Sequence, residues 1–261
     1  MSNLVANLRV SLVQTDLIWE SPMSNCGHLE EQLVQLIGQT DLIILPEMFA
    51  TGFSMSANHA EIPQGPSTHW MQMQAKRIDA VVVGSLKIKE KFGLVNRLIV
   101  AFPDGSIQSY DKKHLFRMGK EHEFYQPGEK KLVFSYKGWR ISPFICYDLR
   151  FPVWSRNVDL AYDLAIYVAN WPAARTHAWD VLLKARAIEN LAYVAGVNRV
   201  GSDGNALEYV GHSALISYKG EALLHLGTAE TIQNFNLSLS DLQSFRSNFP
   251  AHLDADSFQL I

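Results

Sequence analysis

Three strand-like runs in this chain break off beside a single side chain able to do chemistry. DLIILPE (41–47) ends on Glu47, SIQSYDK (106–112) ends on Lys112, and WRISPFICYD (139–148) turns polar just after Cys146. Runs this short read as strands rather than helices. Residues 8–14, 163–170 and 191–198 read the same way. Between them the apolar spacing becomes helical. Leu29, Leu33, Leu36 and Ile37 follow Ser21-Pro22, with the serine as N-cap and Gly38 closing the segment. Residues 66–78 form a second helix, and 177–191 an amphipathic one with Trp179, Leu182, Leu183 and Ile188 among its apolar positions. Period two returns in 80–102, two strands joined by a polar turn. Pro103-Asp104-Gly105 makes the next turn, 213–227 is a hairpin turning at Lys219-Gly220, and 239–248 is a last helix. Strands that alternate with helices and are interrupted by hairpins predict an α/β fold with mixed sheets covered by helices.

No repeat or Pro/Gly/Ser-rich linker divides the 261 residues, so 1–261 reads as one domain. Its segment 239–261, with Phe245, Phe249 and Phe258, serves as an extension that packs on its own subunit or on a dimer partner. With 23 basic and 26 acidic residues the formal charge is −3, which gives no basic excess for nucleic acid or an anionic membrane. Two cysteines, Cys26 and Cys146, are too few for a disulfide scaffold. The start, MSNLVANLRVSLVQTD, does not read as a secretory signal, and the longest apolar stretches are too short to span a bilayer. The expected address is the cytoplasm.

Catalytic groups in α/β folds gather where strands run out into loops. A cysteine at such a place is more commonly a small core residue. The abrupt polarity of Tyr147-Asp148-Leu149-Arg150 argues for a nucleophile, with the next backbone N–H aimed at a developing oxyanion and a nearby cation lowering the thiol pKa. Glu47, set among apolar residues, has the character of a general base. Lys112 and Lys113 alternate, so one of the pair faces inward. His114 keeps a papain-like Cys–His pairing open. The nine histidines show no metal-ligand spacing, and Gly201-Ser202-Asp203-Gly204 is a turn, not a phosphate loop, so neither metal nor cofactor is expected.

Leu45-Pro46-Glu47-Met48-Phe49, Tyr110-Asp111-Lys112-Lys113-His114-Leu115-Phe116, Ile145-Cys146-Tyr147-Asp148-Leu149-Arg150-Phe151-Pro152 and Ala185-Arg186-Ala187-Ile188-Glu189-Asn190 occur in that order. In these motifs the chain resembles the nitrilase superfamily of carbon–nitrogen hydrolases over nearly its whole length. The resemblance implies a four-layer α-β-β-α sandwich, two mixed sheets between helical layers, and assembly into homodimers or larger oligomers. It implies a Glu47-Lys112-Cys146 triad and selects Lys112 over Lys113. It places a second glutamate at Glu121, six residues before Pro127-Gly128, with Glu123 as runner-up, and an oxyanion donor at the Tyr147 backbone N–H.

HLFRM, CYDLRFPVWSRN, VANWPAAR and NRVGSDGN look most like the bacterial omega-amidase branch. That likeness implies deamidation of 2-oxoglutaramate and 2-oxosuccinamate through a cysteine thioester, a metabolite-repair role. A substrate of this kind has an anionic end. Arg175 and Arg117 are candidates to hold it, and Trp171 to wall the pocket. The competing readings are an amidase or nitrilase for another small amide or nitrile, and a binding protein on the same fold.

Overall fold

The computed structural model describes residues 7–259. The first six and last two residues of the 1–261 span lie outside the described residues.

Two six-stranded sheets form the centre. The first runs β14-β1-β2-β3-β4-β5, built from β1 (Asn7–Gln14), β2 (Leu42–Ile44), β3 (Val81–Glu90), β4 (Gly93–Ala101), β5 (Ile107–Asp111) and β14 (Thr231–Ser238). The second runs β13-β12-β9-β8-β7-β6, built from β6 (Phe134–Tyr136), β7 (Trp139–Ile145), β8 (Leu164–Ala169), β9 (Tyr193–Asn198), β12 (Ala214–Ile216) and β13 (Ala222–His225). β10 (Val200–Ser202) and β11 (Glu208–Val210) form a small separate ribbon. Both sheets are mixed: β1, β2 and β3 are parallel, as are β7, β8 and β9, with antiparallel strands at the flanks.

Alternation sorts each strand onto two faces. Leu8, Val10 and Leu12 of β1, Leu42 and Ile44 of β2, and Val81 and Val83 of β3 point toward the second sheet and share its core. Val13, Ile43 and Val82 point the other way, against α1 (Pro22–Leu33) and α2 (Pro66–Ile78). On the far side, Trp179, Leu183 and Ala187 of α5 (Thr176–Asn190) join the core of the second sheet, as do Leu239 and Leu242 of α6 (Leu239–Asn248). The layers are therefore helix, sheet, sheet, helix, as the motifs implied. α3 (Glu121–Phe124) and α4 (Pro152–Ser155) are single turns between strands.

Several local expectations change. Ser21 stands at the N-cap position of α1, but its hydroxyl bonds Ser24 rather than a backbone N–H. Ile188 is 52% exposed, because the buried stripe of α5 also takes Arg186 and Asn190. Arg186 is accommodated there by donating to the Leu149 carbonyl and pairing with Glu189 at 2.9 Å, which gives the buried charge the partners it requires. β14 carries few apolar residues and gives no strand signal by itself. It forms because its backbone completes the edge of β1 over eight residue pairs. α6 packs on its own chain through Arg246, which donates to Asp163 and to the carbonyls of Tyr162 and Leu191.

Candidate active site

β5 stops at Asp111, and Lys112 continues inward from its end. Lys113, pointing the other way, lies over the Trp154 ring at 5.3 Å. A buried ammonium requires partners. Lys112 Nζ lies 2.8 Å from Glu47 Oε1 and 3.0 Å from Glu121 Oε2, with all three side chains wholly enclosed. Glu47 reaches the place from the loop after β2. Its Oε1 also accepts Asn96 Nδ2 at 2.8 Å, and its Oε2 accepts the Asn170 backbone N–H at 2.8 Å. Glu121 accepts the Phe116 backbone N–H at 2.6 Å. Glu123, in contrast, is exposed.

Burial alone would lower the Lys112 pKa. The charges of Glu121 and Glu47 outweigh it and hold the lysine protonated, above its ordinary value. Burial raises Glu121, and the nearby Glu47 adds to this against the pull of Lys112.

Cys146 follows β7 and opens a short 3₁₀ turn, Cys146–Arg150, with a φ of +45°. That left-handed backbone is uncommon outside glycine and presents the side chain at a sharp corner. Burial raises the thiol pKa well above its ordinary value, and Glu47 adds to the rise by charge and hydrogen bonding, while Lys112 opposes it. Cys146 therefore rests as the thiol. The neighbouring cation does pull the pKa down as expected, but one ammonium shared by two carboxylates does not offset desolvation, so the net direction is upward.

Cys146 is 9% exposed and opens onto a cavity of about 470 Å³, whose walls include Tyr147, Arg150, Phe116, Trp171 and Arg175. The Arg150 guanidinium lies 5.0 Å over the Trp171 ring, and that of Arg175 lies 5.1 Å over Phe116. Among the described residues, neither arginine is paired with a carboxylate. Cys146 lines the cavity, and the buried Glu47–Lys112–Glu121 cluster lies behind it, within electrostatic reach of its sulfur. Acyl transfer through sulfur needs a thiol, a carboxylate acceptor for its proton and a fixed ammonium.

Residues 9–247 match the carbon-nitrogen hydrolase family. The chain belongs to that family. It is a hydrolase of amide carbon–nitrogen bonds. The "Omega-amidase YafV" of Escherichia coli (strain K12) is 46% identical over 257 residues, spanning 97% of this chain and 98% of that one. The "2-oxoglutaramate amidase" of Bacillus subtilis (strain 168) is 32% identical over 251 residues, 94% of this chain and 96% of that one. Among solved structures, XC1258 of Xanthomonas campestris superposes with a TM-score of 0.96 at 46% identity, covering 98% of this chain and 100% of that one. It is described as a CN-hydrolase superfamily protein with an arsenic adduct in the active site.

In this carbon-nitrogen hydrolase the remaining expected residues fall into place unevenly. Trp171 and Arg175 line the cavity, but Arg117 is exposed and does not. Tyr147 lines it too, its ring edge-on to Phe116 at 5.1 Å. The Cys–His pairing does not form: His114 Nδ1 faces Asp148 at 2.8 Å and its ring stacks on Phe151. The chain does gather Asp180, His212 and His225 within 4.8 Å, a grouping that no spacing announced. None of the three lines the cavity, and both histidine Nδ1 atoms are already engaged, one with Asp180 and one with the Gly227 N–H. Sequence reasoning passed over Asn96, Asn170 and Arg150. Asn96 did leave a signal, a lone amide inside the apolar strand GLVNRLIVA, since a buried amide needs partners.

Proposed function

We propose that this hydrolase is an omega-amidase, removing the terminal amide of 2-oxo-dicarboxylate monoamides such as 2-oxoglutaramate and 2-oxosuccinamate. The carrying observation is the pair of carboxylate-free guanidiniums, Arg150 and Arg175, in the one cavity that ends on Cys146. They suit the anionic end of such a substrate, because an arginine fork can grip a carboxylate bidentately. The names borne by the two relatives above support the same reading.

Cys146 attacks the amide carbonyl as its thiol proton passes to Glu47, forming the Sγ–C bond. The tetrahedral oxygen is received by the Lys112 ammonium and the Tyr147 backbone N–H, each such donor contributing roughly 3 kcal/mol. Glu47 returns the proton to the departing nitrogen as the C–N bond breaks. Ammonia leaves, and a thioester remains on Cys146. Glu47 then takes a proton from water as it attacks, and the thiol is restored when the acid departs. Glu121 holds Lys112 in place throughout, through its 3.0 Å ion pair.

The test is ammonia release from 2-oxoglutaramate, 2-oxosuccinamate, glutamine, asparagine and a simple nitrile, with wild type and Cys146→Ala. The two 2-oxo acids should be hydrolysed fastest. Preference for a neutral amide or the nitrile would remove the substrate assignment while leaving the chemistry.

The same reading makes the enzyme a single-domain cytoplasmic homo-oligomer. In the described residues no helix is long and apolar enough to cross a membrane, and both cysteines are free. Val158, Ile188, Phe249 and Phe258 line a groove and are largely exposed, as a surface awaiting a second copy would be. A mass measured in solution at monomer size would remove the oligomer from the proposal.

A further inference from the structure

Lys112 and Cys146 follow strands of different sheets, and among the described residues no backbone ladder joins the two sheets. Side chains must therefore fix their separation. Asp148 is placed to do so. Its wholly buried carboxylate gathers four donors. Oδ2 accepts the Tyr110 hydroxyl at 2.7 Å and the Ile145 backbone N–H at 3.1 Å. Oδ1 accepts the His114 backbone N–H at 2.9 Å and faces His114 Nδ1 at 2.8 Å.

The positions of those donors matter more than their number. Tyr110 and His114 stand two residues before and two after Lys112, and Ile145 immediately precedes Cys146. A single carboxylate thus grips both flanks of the lysine and the backbone leading into the left-handed corner at the cysteine. The grip is braced from outside. Trp154 Nε1 donates to the Tyr110 hydroxyl at 3.0 Å, and the His114 ring lies flat on Phe151 with centroids 3.8 Å apart. Asp148 does not line the cavity, so it does not reach substrate.

We propose that Asp148 is a positioning residue of the reaction, setting Lys112 against Cys146 across the two sheets and holding the nucleophile's corner. The proposal rests on the reading of those two residues as partners in one reaction. A carboxylate suits the task because it accepts at both oxygens. An asparagine has one acceptor atom and would turn its own N–H groups against at least one of the donors.

The experiment compares Asp148→Asn and the milder Tyr110→Phe with wild type. Active sites are counted by stoichiometric alkylation of Cys146, and turnover is read on whichever amide the wild type hydrolyses fastest. Displacing a catalytic group by an ångström costs on the order of 100-fold. Asp148→Asn should lose about that much in kcat per titrated thiol, and Tyr110→Phe about tenfold, with KM changed less than about threefold. A residue serving stability alone would lower the melting temperature and the number of titratable sites while leaving kcat per site unchanged. That result, or a KM rise at constant kcat, would overturn the proposal. If Asp148→Asn does not fold, Tyr110→Phe decides by the same readings. Full turnover in Cys146→Ala would instead overturn the thiol chemistry, so the two failures are distinguishable.

Discussion

Lys112 Nζ and Glu47 Oε1 stand 2.8 Å apart with neither side chain exposed to solvent, and Glu121 meets the same ammonium from another side. One positive charge is thus shared by two carboxylates in an enclosed site, and the two halves of the arrangement respond differently to removal.

Glu47→Gln leaves Lys112 still paired with Glu121, so folding should suffer little while turnover falls by several orders of magnitude with the loss of the base. Lys112→Met leaves two buried carboxylates without a counter-charge. Breaking a buried pair in that sense costs about 3–5 kcal/mol. Urea midpoints of the two variants should separate accordingly. Equal destabilisation would show that Glu121 does not sustain the lysine alone.

Cys146→Ala should abolish ammonia release without unfolding the protein, since the side chain loses one sulfur at a corner. Wild-type enzyme given hydroxylamine should divert the thioester to a hydroxamate. His114→Gln keeps the backbone bond to Asp148 and should cost far less than Cys146→Ala. A comparable loss in a folded His114→Gln protein would revive the histidine as the cysteine's base.

Neutralising Arg150 or Arg175 should weaken binding of an anionic substrate and spare a neutral amide. A hydrogen bond to a charged group contributes about 1.5–3 kcal/mol, so KM for 2-oxoglutaramate should rise roughly 10- to 100-fold. Kinetics of Arg150→Gln and Arg175→Gln on charged and uncharged amides read this directly. Equal effects on both substrate types would clear the arginine of carboxylate recognition.

Asp41 supplies a pH-dependent part of stability. Burial would raise its pKa, but Arg9 and Lys137 outweigh that and hold it at about 2, below the roughly 3.9 of an unfolded aspartate. A depressed carboxylate contributes stability that is fully present above about pH 4 and is lost as pH falls through the folded value. Chemical denaturation from pH 5 to pH 2 should show this decline, and Asp41→Asn should flatten it. An unchanged acid limb in the variant would assign the loss to other carboxylates.

Local patterning made most of the elements readable. The runs 8–14, 80–102, 163–170 and 191–198 are apolar enough to be buried strands wherever they are placed, and the 66–78 helix lies where it was expected. β14 was not readable, because its eight residues owe their conformation to the edge of β1 rather than to their own side chains. The strand ends singled out Glu47, Lys112 and Cys146, since reactive groups placed there leave a mark in one dimension, while Glu121, which opens the α3 turn, came only from the family resemblance. Their mutual distances leave none.

The sequence by itself determined most of the segments that become strands and helices, β14 excepted, and which side chains carry reactive groups, because side-chain period and chemical identity are local properties. Only the tertiary structure decided that Asn96 and Asn170 brace Glu47, that Arg150 rather than Arg117 faces the cavity, and that His114 turns to Asp148 instead of Cys146. Each of those depends on how two separately hydrogen-bonded sheets meet, and thus on packing between residues distant in the chain, which no local pattern encodes.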